Sequence, residues 1–442
     1  MMSFFKNIET IRIGSLEIKT INLFLFLLTL AIIIERAFII GHDVNVYLFA
    51  SKQILNGEDI YSGNPYNFYL YSPLFALILS PLSFLNMNVA RVFFALLNLF
   101  LTLRMWQILL KLTRQSVSLT NRQIKLWNLF VFVISIGFLM HNINLGQITI
   151  LILWLTIESL YQVLFKKRLW LGAILLVMGI NIKIIPLLAL FYIFVKGRFK
   201  ASFLVGGFVV ISLFLPSVFI GFNYNNTLLE NWAQTINPGK EKYVFENNGG
   251  TQSLNAVLPA YFYDFNDRQE APAGLPRLIY SVDYHVLVVV LQGLRLLFVG
   301  IMVWVVLMQN RKKNPNSLFF LHQLGLLGLT TAIIFPHQQK YAMLYFVPAG
   351  AYMILFILGV VYNLSQTSVK LKLTAFFAAL LMWILATMGR DVYGDLMVNI
   401  SDYYHFVGVN NLIFFVFLLC IQPETILKIF DKPANLSKDE ID

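Results

Sequence analysis

The sequence predicts an all-α protein that crosses a membrane many times. Of its 442 residues, 58% are hydrophobic and 12% are charged, whereas soluble domains average about 25% charged residues. Apolar runs recur along the chain, and many approach the length of about 20 residues that spans the hydrocarbon of a bilayer as a helix. We therefore expect about 11–13 transmembrane or re-entrant helices in one integral membrane domain over residues 1–442.

Short basic loops predict the orientation of these helices. The formal net charge is +11, and five loops that contain no acidic residue carry much of the excess. By the positive-inside rule they are cytoplasmic, which also places both termini in the cytoplasm and the intervening polar stretches outside. This distribution indicates membrane lipids as partners and argues against nucleic acid. The five loops are 111–125, 166–168, 196–200, 311–313 and 370–372.

The first apolar run, from about Ile21 to Ile40, has no small-residue cleavage site and is predicted to be a retained span. Residues 41–88 are predicted to form the first external loop. Within it, the apolar run 73–85 is too short to cross the membrane and is expected to be re-entrant or interfacial. Further spans are predicted near 89–110, 126–140, 146–165, 201–221, 284–308, 317–335, 342–362, 372–388 and 407–427.

Residues 169–195 have basic clusters at both ends but are too short for two ordinary spans. They predict a broken hairpin of two short helices that turns near 181–186, and such breaks often line a binding site. Residues 222–283 are predicted to be a large external loop, and 428–442 a cytoplasmic tail.

Asp43 is the first candidate for chemistry. It follows the first predicted span, where a charge is costly, and His42 and Asn45 flank it. A single carboxylate at the external surface can act as the general base that deprotonates an acceptor hydroxyl. The alternative for Asp43 is a solvated loop residue.

Three cationic side chains are candidates for binding a phosphate. A phosphate leaving group needs cationic or hydrogen-bonding partners as charge develops on it. Lys183 lies at the predicted helix break, His337 follows Pro336, and Arg295 lies inside a predicted span. The alternatives are a snorkelling lysine, a histidine at a solvated loop end, and an arginine that snorkels or forms an intramembrane ion pair. No residues have metal-ligand spacing, so neither a metal nor a cofactor is expected.

A series of short motifs follows Asp43 in a fixed order. They are Asn56-Gly57 to Tyr61, Tyr71-Ser72-Pro73, Asn144 to Gln147, Lys183 to Pro186, Thr251 to Leu254, and Phe335 to His337. In this order, from about Gly41 to Pro348, the sequence resembles glycosyltransferase family 87. The resemblance implies a GT-C fold and the transfer of a sugar from a polyprenyl phosphate, as in mannosyltransferases and arabinofuranosyltransferases.

The resemblance also implies roles for individual residues. Asp43 matches the family's proposed general base, and Lys183 matches its Lys-x-x-Pro element. Three motifs depart from the family: Ile60 replaces a proline, Leu145 is inserted, and Thr251 replaces an asparagine. We expect Lys183, His337 and Arg295 to bind the donor phosphate. The expected substrate-binding residues are His42, Tyr47, Tyr61, Tyr71, Asn144, Gln147, Gln252 and Ser253.

The predicted function is therefore that of an inverting membrane hexosyltransferase. It would move a sugar such as mannose from a polyprenyl-phosphate donor to a lipid or glycan acceptor on the extracytoplasmic face of the cell (inner) membrane. No glycine-rich phosphate loop lies on the cytoplasmic side, which disfavours a nucleotide-sugar donor. The alternatives are a transporter or flippase of lipid-linked glycans, to which a broken helix and intramembrane charges are also suited, and a scaffold without catalysis.

Overall fold

The computed structural model describes residues 42–237, 244–265, 276–312 and 316–431, together with 10–13, 16–19, 274 and six positions between 27 and 35. Regular structure in these ranges is almost entirely helical, which confirms the prediction of an all-α membrane protein. The exception is an antiparallel hairpin of strands β1 (Thr10–Ile13) and β2 (Leu16–Lys19). Most of the first predicted span, Ile21–Ile40, lies outside the described residues.

Eighteen α-helices follow one another in the described part of the chain. They are α1 (His42–Asn56), α2 (Pro73–Leu79), α3 (Met87–Ser116), α4 (Asn121–Leu145), α5 (Thr149–Leu164), α6 (Leu169–Ile182), α7 (Leu187–Val195), α8 (Phe199–Phe214), α9 (Ser217–Ile220), α10 (Phe222–Thr235), α11 (Leu254–Phe262), α12 (Tyr284–Asn310), α13 (Ser317–Ile334), α14 (Val347–Tyr362), α15 (Val369–Thr387), α16 (Arg390–Tyr403), α17 (Phe406–Cys420) and α18 (Pro423–Phe430). Short 3-10 helices cover Ser80–Phe84, Lys340–Phe346 and Leu364–Gln366.

Helix α1 lies in the stretch 41–88 that is predicted to be the first external loop, where no helix was expected. Its residues Val44, Tyr47, Leu48 and Ser51 are buried at positions i, i+3, i+4 and i+7, which lie on one face of a helix. The polar residues between these positions lower the mean hydropathy and hide that face from a search for apolar runs. The site residue Asp43 therefore lies in the first turn of a packed helix.

The predicted external loop 222–283 also contains regular structure. It includes α10 and α11, and Asp283 is the N-cap of α12. Asn225, Leu228 and Trp232 are buried on α10. The stretch predicted to be a large external loop therefore contains helices, and its external position stays a prediction.

Seven helical segments in the described residues are long and apolar enough to cross a membrane, which makes the chain an integral membrane protein. A bent pair at 66° (Val392–Tyr403 with Phe406–Cys420) and three shorter apolar helices add to them. The predicted total of 11–13 includes the first span, most of which lies outside the described residues, so this total stays a prediction. The seven are Met87–Ser116, Asn121–Leu145, Phe199–Ile220, Tyr284–Asn310, Ser317–Ile334, Lys340–Tyr362 and Val369–Thr387.

The end of the chain differs from its prediction. The predicted span 407–427 is two helices, because α17 ends at Cys420 and Pro423 begins α18. The predicted tail starts at Lys428, which lies in the last turn of α18. Residues 432–442 of that tail lie outside the described residues.

Helices α13 and α14 form the centre of the bundle. In the most apolar part of each segment, 94% of the residues are buried in Ser317–Ile334 and 89% in Lys340–Tyr362. The corresponding share is 17% for Phe199–Ile220 and for α12. A Cβ atom on Gly328 of α13 would lie 2.2 Å from the carbonyl oxygen of Tyr345, so glycine allows α13 to touch the 3-10 helix before α14. The indole of Trp127 also donates a 3.0 Å hydrogen bond to the Ala351 carbonyl of α14. The loop between α13 and α14 is therefore held by a tightly packed core.

The predicted break between α6 and α7 is confirmed. Lys183 has an extended backbone (φ −151°, ψ 137°), and Pro186 precedes α7. Proline disfavours the helical conformation of the residue before it. The side chain of Asn181 fastens the break from the α6 side, donating to the Val177 carbonyl at 3.0 Å and to the Ser212 hydroxyl of α8 at 2.6 Å.

The basic loops lie at the end of the bundle opposite Asp43. Helix α4 starts at the basic loop 111–125 and ends beside Asp43, and α5 runs back to the basic loop 166–168. Lys196 at the end of α7 donates a 2.6 Å hydrogen bond to Asn310 at the end of α12, next to the basic loop 311–313. The separation predicted from charge is therefore present in the fold.

Candidate active site

Asp43 and Gln147 meet at one end of the bundle. Asp43 is half-buried, and its Oδ2 accepts a hydrogen bond from the side-chain amide of Gln147. Burial raises the pKa of the Asp43 carboxyl above its ordinary value, whereas the Gln147 bond and the charges of His42 and Lys183 lower it. The raised pKa suits a group that accepts a proton during a reaction.

The turn after α4 aims Gln147 at Asp43. Helix α4 ends at Leu145, and Gly146 has a left-handed backbone (φ 68°, ψ 33°), which glycine adopts without steric cost. The backbone N–H of Gln147 donates a 2.9 Å hydrogen bond to the Asn142 carbonyl, as in a Schellman cap. The sequence Asn144 to Gln147 thus ends a helix and brings the side-chain amide of Gln147 into hydrogen-bond contact with the Asp43 carboxylate.

Lys183 and His337 line one cavity of about 420 Å³. Burial lowers the pKa of Lys183 to about 8, while the charges of Asp43 and Glu246 oppose that shift. The cavity therefore has a lysine and a histidine side chain in its wall, and Asp43 lies within electrostatic range of the lysine. The remaining lining residues are Leu70, Ile184, Ile185, Trp232, Ala233, Thr235, Ile236, Asn237, Phe335 and Pro336.

Glu246 is a buried carboxylate that sequence reasoning missed. Its Oε1 accepts a 2.8 Å hydrogen bond from the backbone amide of His337 and lies 2.6 Å from the Nδ1 atom of the same residue. His337 has φ of 58°, a left-handed conformation that is uncommon outside glycine. No motif marks Glu246, because it stands in a polar stretch whose partner lies 91 residues further along the chain.

Arg295 faces the same carboxylate from α12. Its Nη2 donates a 2.6 Å hydrogen bond to the Asn255 side chain, its Nη1 donates one of 3.1 Å to Gln292, and its charge interacts with Glu246. Arg295 does not line the cavity of Lys183 and His337. The hydrogen-bond partners of Arg295 are thus two neutral side chains, and phosphate binding by Arg295 stays a prediction.

The three predicted tyrosines belong to an aromatic cluster under α1. Tyr47 and Tyr71 are 1% and 8% exposed, and their hydroxyl oxygens lie 3.4 Å apart. The Tyr61 hydroxyl donates a 2.8 Å hydrogen bond to the Tyr71 carbonyl. Rings of Tyr47, Tyr71 and Phe75 pack edge to face. Through Tyr47, this cluster packs α1 against the segment that contains Tyr71 and Phe75. Contact of its tyrosines with substrate stays a prediction.

The other predicted substrate residues separate into two groups. His42 is exposed beside Asp43, and the buried Oδ1 of Asn144 has no hydrogen-bond partner among the described residues. Gln252 is bonded to backbone at both ends, to the Gly249 carbonyl at 2.8 Å and the Gly408 amide at 3.0 Å. Ser253 is fully buried at the start of α11. The first group lies beside Asp43 and the Gln147 turn, and the second lies at the start of α11, where the Ser253 hydroxyl also has no hydrogen-bond partner among the described residues. Contact of either group with a substrate stays a prediction.

An apolar groove of about 1240 Å³ adjoins the break between α6 and α7. Ile182 lines the groove, and the next residue, Lys183, lines the polar cavity. Exposed apolar side chains such as Ile78, Ile211 and Phe219 also line it. The groove and the cavity together suit a ligand with an apolar chain and an anionic head.

No metal centre accompanies these groups in the part of the chain that the structure describes. There, no group of three or more His, Cys, Asp or Glu side chains could hold a metal ion. The chemistry available to the described residues is that of a half-buried carboxylate with lysine, histidine and amide groups close by.

A polytopic helical bundle with such a site at one end has the character of a membrane enzyme. The profile of glycosyltransferase family 87 matches residues 69–336, more than half of the chain. The chain therefore belongs to glycosyltransferase family 87 and is a membrane glycosyltransferase. The match includes Gln147, Lys183 and Glu246, while Asp43 and His337 lie outside it. Searches of curated proteins and of solved structures found no significant match.

Proposed function

We propose that this glycosyltransferase moves a hexose, such as mannose, from a polyprenyl-phosphate donor to a lipid or glycan acceptor. The observation that carries the proposal is the convergence of Asp43, Lys183 and His337. Lys183 interacts electrostatically with Asp43 and shares a cavity wall with His337. These residues come from α1, the break between α6 and α7, and the loop after α13. A proton acceptor and two phosphate-binding groups are what this transfer needs.

The donor lipid is proposed to occupy the apolar groove. Its phosphate would lie at the junction where Ile182 lines the groove and Lys183 lines the cavity. A cavity of about 420 Å³ has room for a phosphate and one sugar ring. Lys183 and His337 would bind the phosphate, with Arg295 assisting through the charge of Glu246 rather than by contact.

The transfer would proceed by a single inverting displacement. The acceptor hydroxyl oxygen attacks the anomeric carbon while the bond from that carbon to the phosphate oxygen breaks, and the bonding electron pair leaves with the phosphate. Asp43 accepts the hydroxyl proton. Lys183 and His337 stabilise the extra negative charge on the departing polyprenyl phosphate. Gln147 orients the Asp43 carboxylate, and His42 and Asn144 are placed to bind the acceptor or the sugar.

The basic loops support an extracytoplasmic site. They lie at the end of the bundle opposite Asp43, and the positive-inside rule places such loops in the cytoplasm. We accordingly propose that the site faces outward from the cell (inner) membrane, that both termini are cytoplasmic, and that the architecture is of the GT-C type.

The test uses purified protein in lipid nanodiscs with a panel of polyprenyl-phosphate sugars and candidate acceptors. Release of polyprenyl phosphate with one donor, lost in Asp43→Asn and retained in the exposed control Glu230→Gln, is the expected result. Release of polyprenyl phosphate by Asp43→Asn at the wild-type rate would overturn the general-base role. Movement of an intact lipid-linked sugar across proteoliposomes, with no release from any donor, would favour the flippase alternative.

A further inference from the structure

The carboxylate of Glu246 is placed to control His337. Glu246 is 5% exposed, and burial of a carboxylate is unfavourable unless partners compensate its charge. Its Oε1 has two partners on one residue, the backbone amide and the ring nitrogen of His337. Its Oε2 is buried and has no hydrogen-bond partner among the described residues. Compensation therefore comes mainly from His337 and from the charges of Lys183 and Arg295.

The segment that carries Glu246 is fastened to the start of α11. The Glu246 amide donates to the Asn255 carbonyl at 3.0 Å, and the Asn255 side chain donates to the Val244 carbonyl at 2.9 Å. Asn255 also accepts the 2.6 Å hydrogen bond from Arg295. The carboxylate thus has a fixed position relative to α11 and α12, and His337 must adapt to it.

His337 is held in an unusual conformation by this contact. Its left-handed backbone persists only where the surroundings determine it. The segments on either side are also joined: the Gln252 amide donates to the Gln338 carbonyl at 2.7 Å, and Thr251 pairs with Gln339 in a β-bridge. A carboxylate only accepts hydrogen bonds when ionised, so Nδ1 of His337 carries a proton. The same oxygen therefore fixes the backbone, the ring orientation and the proton position of a residue in the cavity wall.

We infer that Glu246 is a positioning residue for the transfer reaction and acts through His337. The inference rests on the proposed function, because it takes His337 to stabilise the departing phosphate. Glu246 does not touch the donor. It holds the His337 ring at the cavity wall with its proton on Nδ1, and its negative charge favours a positive charge on the ring as the phosphate gains negative charge.

A double-mutant cycle tests whether Glu246 works through His337. We expect His337→Gln to lower kcat about 100-fold and Glu246→Gln to lower it about 10- to 100-fold. The double variant should be no slower than His337→Gln alone. Once the His337 ring is absent, the Glu246 carboxylate has nothing to act on, so its removal should cost nothing further. Losses that multiply in the double variant would overturn the inference. Glu230→Gln, which removes an exposed carboxylate on α10, is the matched control.

The kinetic constants separate positioning from general damage. The charge on the phosphate grows only in the transition state, so Glu246→Gln should change the donor KM by less than about 3-fold while kcat falls. Glu246→Asp keeps the charge and should recover part of the loss. If Glu246→Gln does not fold, Glu246→Asp replaces it in the cycle, with the same non-multiplicative result expected. A kcat that is higher in Glu246→Gln than in Glu246→Asp would overturn the role of the charge.

Histidine spectra test the contact independently of turnover. In protein labelled with ¹⁵N-histidine, the signal absent from His337→Gln identifies His337 among the six histidines. We expect this signal to show a proton on Nδ1 in the wild type and to change in Glu246→Gln. An unchanged signal would overturn the inference. If no donor supports transfer by the wild type, the proposed function fails, and these spectra still decide whether Glu246 controls the His337 ring.

Discussion

Asp43 and Glu246 are carboxylates at the same end of the bundle, but their surroundings differ. Asp43 is half-buried in the first turn of α1 and receives one side-chain hydrogen bond, from the neutral amide of Gln147. Glu246 is almost fully buried and has two N–H partners on His337 with two further cations in range. One carboxylate remains available to a proton, whereas the other is occupied by the residue it holds. This difference suggests a division between a group that reacts and a group that positions.

Asp43→Asn is expected to have the largest effect and to separate the two carboxylates most clearly. Removal of a general base lowers kcat about 1,000-fold, since such groups contribute 10²–10⁴. The thermal unfolding midpoint should hardly change, because the amide can still bond to Gln147. Single-turnover transfer in nanodiscs measures this loss. A smaller effect for Asp43→Asn than for Glu246→Gln would reverse the assignment.

Lys183 links the two carboxylates, and its replacement is expected to come next. Lys183→Met should lower kcat about 100-fold through loss of a cation at the phosphate. Because the pKa of Lys183 is about 8, the amine is charged below that pH, and wild-type kcat should fall as pH rises through it. On the acid side, kcat should rise as Asp43 loses its proton.

Lys183→Arg checks the origin of the alkaline limb. Arginine stays protonated at every accessible pH, so the fall in kcat near pH 8 should move to higher pH in this variant. The exposed Lys52 of α1 provides the matched control, and Lys52→Met should leave the profile unchanged. An alkaline limb that stays in place in Lys183→Arg would show that another group titrates there.

Gln147→Met is expected to have a moderate effect on kcat, through Asp43 and without affecting Glu246. The Gln147 hydrogen bond lowers the pKa of Asp43, so its loss should raise that pKa and shift the acid limb of kcat/KM to higher pH. We also expect kcat to fall about 10-fold, as for other residues that orient a reacting group. Gln53 lies on the same helix as Asp43 and donates a 3.2 Å hydrogen bond to the Ser62 carbonyl of the following loop. Gln53→Met should therefore alter stability without moving the acid limb.

Tyr47→Phe is expected to have the smallest effect. The variant loses only the 3.4 Å contact to the Tyr71 hydroxyl, which is worth less than about 1 kcal/mol. The thermal midpoint should drop slightly, and kcat should stay within about 3-fold of wild type. A loss of kcat comparable with that of Gln147→Met would show that the Tyr47 hydroxyl takes part in the reaction rather than only in packing.

Much of the fold could be predicted from the sequence, as could some of the residues that meet at the candidate site. Long apolar runs and basic loops predict spans and their polarity, and the break at Lys183 follows from length and Pro186. Helix α1 was missed because its apolar face alternates with Asp43, Asn45 and Lys52, so that no apolar run marks it. Glu246 was missed because its significance depends on the contact with His337, which local sequence does not reveal. Gln252, in contrast, matched a motif, yet the structure gives it bonds to backbone.

The apolar groove beside Ile182 has a consequence for how this enzyme is measured. Its lining includes Ile78, Ile211 and Phe219, which are exposed on the flank of the bundle rather than at its polar end. A lipid that enters there comes from within the bilayer. Its effective concentration is then a mole fraction in the membrane, so diluting the nanodiscs with buffer should leave donor saturation unchanged, whereas diluting the donor with other lipids should reduce it.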